Sequence, residues 1–404
     1  MSSPPLPSLT AAQTAARLGI KPETLYAYVS RGLLRRDKGR DGSRFDALEV
    51  EAFARSRRGG TPSTMPTGHS PGSPLMTIEH DITLLEDDRL YLRGREITAL
   101  CTEAGFETVC WWLWTRRWEP DRRFGPPTGT APAAGCRAAL PEGMALREQM
   151  HVLVTVLGAT DPLRHDLSSE SVARMGADII GGVVASLPPH GRQDRRGSLA
   201  ARLWPRLSDR PADPTTIGLV DTALTLLIDH DLAASTLAVR AAASARANPY
   251  AVVSCGLGAL DSALHGNAGR AAYVMIGEAL RGSADHAVAS AVVAHGGVPG
   301  FGHRVYSHSD PRWEHLITRL RTAAPEAAAL RAADAVVSIV RDRIDSFPNV
   351  DLALATLAHV TGLDPGATEL IFALARCGGW IAHAQAEYAE PPLRLRPEGR
   401  YTGP

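Results

Sequence analysis

The chain has 404 residues, of which 44% are hydrophobic and 21% charged, and its formal net charge is zero. Such a length exceeds one ordinary core, so two or three domains are expected; the composition is globular, and no apolar run is long enough to span a bilayer. Five cysteines (Cys101, Cys110, Cys136, Cys255, Cys377) are odd in number and lack CxxC spacing, which argues against a disulfide framework and a zinc site and reads as reduced thiols.

The N-terminus, MSSPPLPSLTAAQ, shows no secretory signal pattern, so a cytoplasmic location is expected. Residues 1–60 hold 11 Lys/Arg against 6 Asp/Glu, a basic head on a mildly acidic remainder. Thr10 with Gln13 has the form of a capping box. Ala12, Ala15, Ala16 and Leu18 give a helical face that stops at Gly19. Pro22 suits the first turn of a second helix, with Leu25 and Val29 facing inward. This helix, turn, helix pattern, followed by the turn-rich GRDGSRF, resembles the winged helix-turn-helix of the MerR and excisionase type. The resemblance implies a domain over residues 1–58, with Glu23, Thr24, Tyr26, Ala27, Ser30 and Arg31 facing a DNA groove and Lys38, Arg40 and Arg44 reaching phosphates. A helical appendage that touches protein is the alternative.

Residues 59–75, rich in Gly, Pro, Ser and Thr, read as a flexible linker. Segments 119–142 and 187–215 carry much of the remaining proline and read as long loops. Elsewhere the periodicity predicts helices, among them Met144–Leu157, Ser171–Leu187, Ile217–Ile228, Ala271–Leu280, His286–Ala294 and Ala367–Ala384. The body is therefore all-α, apart from a small hairpin around Ile82–Leu92.

Polar groups interrupt these apolar segments. The stretch HGGVPGFGHRVYSHSDPR (residues 295–312) packs glycines and a proline before His303, with Arg304 and Arg312 close behind. Its bare backbone suits the approach of phosphates or a purine, or else it is a connector with an exposed histidine. His230 ends a very apolar helix, as a dipole-satisfying cap or as a ligand group. His265 precedes a turn and a helix start, where the dipole favours a neutral imidazole. Asp351 is placed as the N-cap of a Leu352–Val360 helix. Arg376, within IFALARCGGWIAHA, either snorkels or pairs with a buried anion, and a small carboxylate ligand would serve.

PGFGHRVY with DPR, the FPNVD segment (347–351), DHDLAAST (229–236) and the terminal RPEGRYTGP together resemble the citrate synthase family from about residue 76 to the C-terminus. LYLRGREITALCTEAGFETVCWWLW resembles that family's start. The resemblance implies a large helical domain (76–266 with 362–404) and a small one (267–361) that closes to exclude water. It implies condensation of acetyl-CoA with oxaloacetate and water to citrate and CoA, the entry to the tricarboxylic acid cycle, with no metal and no cofactor beyond the CoA substrate. Asp351 would be the base that removes a methyl proton, His265 the donor to the thioester oxygen, and His303 the group that polarises the keto oxygen. A thioester α-proton is too weakly acidic for a carboxylate alone, so the oxyanion must be stabilised as the proton leaves. His230, His303, Arg312, Arg376 and Arg396 would bind oxaloacetate, Arg396 by reaching the partner's site in a homodimer. Gly297, Val298, Pro299, Gly300, Phe301, Gly302 and Arg304 would cradle CoA.

Departures from the family pattern stand at Ser262–Gly269, where the turn around His265 reads SALHGNAG, at Ser307, where a basic residue often meets a CoA phosphate, and at Ala233. Propionyl-CoA as donor, which would make a 2-methylcitrate synthase, stays open. So does a DNA-binding regulator that uses the body as a metabolite sensor.

Overall fold

The computed structural model describes residues 6–39, 42–57, 77–190, 196–211, 213–262 and 268–403. His265, Arg40 and the expected linker 59–75 lie outside the described residues.

The chain begins with β1 (Ser8–Thr10), α1 (Ala11–Leu18), α2 (Pro22–Ser30), β2 (Asp37–Gly39), β3 (Gly42–Asp46) and α3 (Ala47–Arg57). Thr10 Oγ1 accepts from the Gln13 N–H while Gln13 Oε1 accepts from the Thr10 N–H, so two of the four orphan donors at the start of α1 are satisfied. Gly19, in the left-handed region, ends α1, and Pro22 opens α2. The strands pair antiparallel in the order β1-β3-β2, with Leu9 opposite Phe45. Leu9, Leu25, Leu34 and Phe45 form the buried centre of this small layer.

A second three-stranded sheet follows, β4 (Thr83–Glu86), β5 (Arg89–Leu92) and β6 (Arg95–Glu96). Then come α4 (Ile97–Glu103), α5 (Phe106–Thr115), α6 (Thr130–Ala138), α7 (Leu146–Thr160), α8 (Ser169–Ser186), α9 (Leu199–Leu207), α10 (Pro214–Leu226), α11 (Ala234–Ser244) and α12 (Pro249–Leu260). The remaining helices are α13 (Ala268–Arg281), α14 (Ala284–His295), α15 (Pro311–Ala323), α16 (Ala328–Ile344), α17 (Val350–Thr361) and α18 (Pro365–Tyr388). Among the described residues no helix is long and apolar enough to cross a membrane.

Two expected loops contain helices. α6 lies inside 119–142 and α9 inside 187–215. Pro132 falls in the first turn of α6, where its missing N–H costs nothing. Pro205 sits near the end of α9, and there Leu199, Leu203 and Leu207, four residues apart and all buried, supply an apolar face that outweighs the proline penalty.

The chain divides into two compact units. The first holds Met1–Glu79, Asp87–Arg89 and Asn267–Pro365; the second holds His80–Glu86, Leu90–Gly266 and Gly366–Pro404. Within the first, α13 packs on α14, α16 and α17, and α3 packs on α14 and α16. Within the second, α18 is central. Its Trp380 is fully buried, and a Cβ added to Gly256 of α12 would stand only 2.8 Å from the Trp380 ring. All five cysteines are free thiols, Cys110 and Cys377 buried, and burial pushes both thiols up.

Gly379 of α18 donates its N–H to the Ile228 carbonyl at 3.0 Å. A Cβ there would collide with Oδ1 of the buried Asp229. Gly379→Ala is therefore expected to cost about 1–3 kcal/mol through overpacking, read as a lower urea midpoint for the full chain.

Candidate active site

In the first unit, α14 ends at Gly296 (φ +69°), and the chain turns again at Gly300 (φ +79°) and Gly302 (φ +69°). A Cβ on Gly300 would lie 2.9 Å from Cβ of Leu352 in α17, so bare backbone is required at that contact. Gly302 N–H donates to the Phe347 carbonyl at 2.7 Å, Asn349 N–H donates to the Gly300 carbonyl at 2.8 Å, and Asn349 Nδ2 donates to the Gly302 carbonyl at 2.8 Å. The glycine loop and the FPNVD segment are thereby one hydrogen-bonded piece. Gly297, Val298 and Pro299 are half-buried, Phe301 is buried, and Arg304 is exposed.

His303 is half-buried at the end of this loop. The Val305 N–H donates to its Nδ1 at 3.2 Å, which leaves the proton of the neutral ring on Nε2. The imidazole thus presents an N–H donor. The backbone N–H groups of Ser307 and His308 donate to the two carboxylate oxygens of Asp88 at 2.6 and 2.8 Å, which steadies the turn after it.

Asp310 organises what comes next. It accepts Nε and Nη2 of Arg312 at 2.9 and 2.8 Å, the Arg312 N–H at 3.0 Å, and the Val350 N–H at 3.0 Å. It therefore caps α15 and ties that helix to the start of α17. Both side chains are buried. Burial opposes ionisation of Asp310, yet the Arg312 guanidinium and His303 hold its carboxyl below the usual range. Arg312 is held protonated by the same pairing, against its own burial, and its guanidinium lies 5.6 Å from the Tyr306 ring centroid. Two of its nitrogens are thus committed to Asp310, and Nη1 is the remaining one.

The capping role expected of Asp351 belongs to Asn349, whose Oδ1 accepts the Asp351 N–H at 3.0 Å. The FPN sequence before it bends the chain early, so the helix starts at Val350 and Asp351 is its second residue. There the helix dipole favours the carboxylate. Its Oδ1 lies 3.8 Å from where a Cβ on Gly269, at the start of α13, would stand.

In the second unit, α10 ends at Leu226, so half-buried His230 lies beyond the helix and does not cap it. Its neighbour Asp229 is fully buried and bonded to Thr83 Oγ1 and to His383 Nε2, the latter at 3.3 Å. Arg240 donates to His383 Nδ1 at 3.3 Å, so His383 donates from Nε2. Burial works against the Asp229 carboxylate, but His383 and Arg376 hold its carboxyl below the usual range. Arg376 is 3% exposed, so it does not snorkel to the surface, and its charge favours the ionised form of the buried Asp229. Arg240 also donates to the buried Glu387, which accepts Nε and Nη2 of Arg394 at 2.9 and 2.8 Å. That pairing fixes the tail two residues before Arg396, which is exposed.

Asp310, Asn349, Asp229 and His383 were not singled out from the sequence. Asp310 before Pro311 is an N-cap followed by proline at the first helical position, a readable signal. His383 stands seven residues after Arg376, on the same face of an apolar helix. A cavity of about 960 Å³ in the second unit, lined by Glu103, Trp118, Trp204 and Asp221, includes neither His230 nor Arg376.

Residues 74–398 match the family model described as citrate synthase, C-terminal domain. The chain belongs to the citrate synthase family. Citrate synthase 2 of Bacillus subtilis (strain 168) is 28% identical over 351 residues, covering 80% of this chain and 92% of that protein. The 2-methylcitrate synthase of Mycobacterium tuberculosis (strain ATCC 25618 / H37Rv) is 24% identical over 339 residues, 79% of this chain and 86% of that one. The crystal structure of citrate synthase from Thermotoga maritima MSB8 superposes with a TM-score of 0.65 at 25% identity, over 82% of this chain and 94% of that one. The Thermoplasma acidophilum citrate synthase, solved with carboxymethyl coenzyme A and oxaloacetate, has the same fold, with a TM-score of 0.66 at 21% identity over 82% and 95%. The mostly helical citrate synthase fold is thus the fold of the body, and the family match leaves the N-terminal elements outside it.

Asp310→Asn strands Arg312 as a buried unpaired cation, and a loss of about 3–5 kcal/mol in urea unfolding is expected. Asp229 and Asp310, held below the ordinary value of 3.8, bind fewer protons folded than unfolded. Their stabilisation is complete above that value and is lost as pH falls through it and below. Unfolding free energy should therefore fall on acidification from about pH 5, and less steeply in Asp310→Asn; an unchanged slope would contradict the assignment.

Proposed function

We propose that the chain condenses acetyl-CoA with oxaloacetate and water to give citrate and CoA, with Asp351 and His303 carrying the chemistry of the first unit. The observation behind this is the weld of the glycine loop to the FPNVD segment, which holds a carboxylate base and an imidazole N–H donor on one hydrogen-bonded piece. Asp351 takes a methyl proton of the acetyl group, and His265 donates to the thioester oxygen as it gains charge. The resulting carbon attacks the keto carbon of oxaloacetate, while His303 Nε2–H supports the keto oxygen as it becomes an alkoxide and is protonated. Water then cleaves the thioester, leaving the citrate carboxylate and the CoA thiol. His230, Arg376 and Arg312, with Arg396 supplied by a second copy in a homodimer, hold the carboxylates. Residues 297–302 with Arg304 take CoA. No cofactor is required.

A second reading, propionyl-CoA as donor, draws on the likeness to the 2-methylcitrate synthase. One methylene in an apolar pocket is worth about 1–3 kcal/mol, so both donors turning over at different rates is consistent with one site. For the head we propose DNA contact in the cytoplasm. Glu23, Tyr26 and Ser30 of α2, Arg31 just after it and Lys38 of β2 are all exposed.

Asp351→Asn should lower kcat by about 10²–10⁴-fold while leaving oxaloacetate binding nearly intact by calorimetry. Comparable loss of both would make Asp351 structural and overturn its role as base. The ratio of rates with acetyl-CoA and propionyl-CoA names the donor. Duplex DNA should be retained at about 50 mM salt and released steeply as salt rises; no retention at the lower salt removes the DNA reading.

A further inference from the structure

The N-terminal elements share a compact unit with the glycine loop and α17, and two of their arginines lie beside the two halves of the welded piece. Arg17, in the last turn of α1, donates from Nε and Nη2 to the two oxygens of Glu51 in α3, at 2.7 and 2.6 Å. Both side chains are only 7% exposed, so the guanidinium is fixed. Its Nη2 lies 3.9 Å from where a Cβ on Gly297 would stand, so the guanidinium borders the start of the loop. Its Nη1 is buried and has no hydrogen-bond partner.

The second contact is at the far end of the same piece. Arg55 of α3 donates from Nη2 to the Asp345 carbonyl at 2.8 Å. Asp345 ends α16 in the left-handed region (φ +56°), a conformation that costs a non-glycine residue energy, and it stands two residues before Phe347. Arg343 of α16 returns the grip by donating to Asp46 at 3.1 Å. Between these anchors α3 packs on α14 and α16, and β1 packs on α14. The loop and the turn that the head touches are the two segments joined by the Gly302–Phe347 and Gly300–Asn349 bonds. The head is thus anchored two residues before one of the joined segments and borders the start of the other.

We propose that the head is a positioning element of the acyl-CoA site, with Arg17 and Arg55 holding the glycine loop and the Phe347–Asp351 turn in the form that binds the nucleotide thioester. This rests on reading residues 297–302 as the CoA loop. Arg17 and Arg55 touch no reacting atom; they act through the loop. Because linkage is reciprocal, a ligand bound by the head and a CoA ester bound by the loop bias each other's affinity.

The test uses the full chain with Arg17→Ala, Arg55→Ala and the conservative Arg17→Lys. CoA affinity is measured by calorimetry, KM by CoA-thiol release, and hydrogen exchange at the Gly302 and Asn349 amides. The expected result is a rise of about 5-fold or more in the CoA Kd and the acetyl-CoA KM for the alanine variants. The oxaloacetate KM should hold, exchange at both amides should quicken, and Arg17→Lys should restore most of the loss. Unchanged CoA affinity in an active chain overturns the inference alone. A wild-type chain that neither binds CoA nor releases thiol overturns the CoA reading of the loop and the inference with it, whereas a chain that binds CoA without turnover is judged on Kd. If Arg17→Ala does not fold, the half-buried Arg55→Ala decides.

Discussion

The candidate site depends first on one buried carboxylate. Asp310 caps α15, grips the Arg312 guanidinium from the same turn, and takes the first free N–H of α17. A buried charge of this kind is tolerable only because every oxygen is answered by a donor. The result is that the segment carrying His303 and the helix start carrying Asp351 cannot drift apart without losing the Val350 N–H donor to Asp310. The glycine loop adds backbone bonds to the same pair of segments, and Gly300 admits the close approach that side chains elsewhere would block.

The second unit holds its buried carboxylate differently, with the hydrogen bonds gathered on Oδ2 of Asp229 while Oδ1 has no hydrogen-bond partner. Asp229 is answered by Thr83, His383 and the field of Arg376, and His383 is in turn fixed by Arg240, which shares Glu387 with Arg394. The chain of contacts runs from the segment before His230 to the tail before Arg396. Small residues on α18 make room for it: Gly379 lies where a methyl group would strike Asp229.

Much of this was legible in the chain itself. The capping box at Thr10, the glycine break at Gly19, the proline start of α2 and the periodic apolar faces all follow local rules and were readable as such. The joint occurrence of PGFGHRVY, DPR, FPNVD and DHDLAAST pointed to the family from sequence alone. What escaped was set by tertiary context. α9 forms despite Pro205 because its leucines are buried, and α6 was hidden behind proline and glycine punctuation. An Asp before an apolar helix usually caps it, yet here Asn349 performs that service and Asp351 is the second residue of the helix. Asp229 and His383 lie 154 residues apart, a pairing that spacing cannot show.

The N-terminal elements extend the family body without standing apart from the glycine loop, since α3 is packed on helices of the loop's own unit. All of this rests on one claim: that the welded piece and the buried cations serve a condensation between a thioester and a keto acid. The most direct test is release of CoA thiol by the purified full-length chain from acetyl-CoA, with and without oxaloacetate. The account predicts release that requires oxaloacetate and yields citrate in equal amount. Release that proceeds equally without oxaloacetate, or no release from a folded chain, would contradict it.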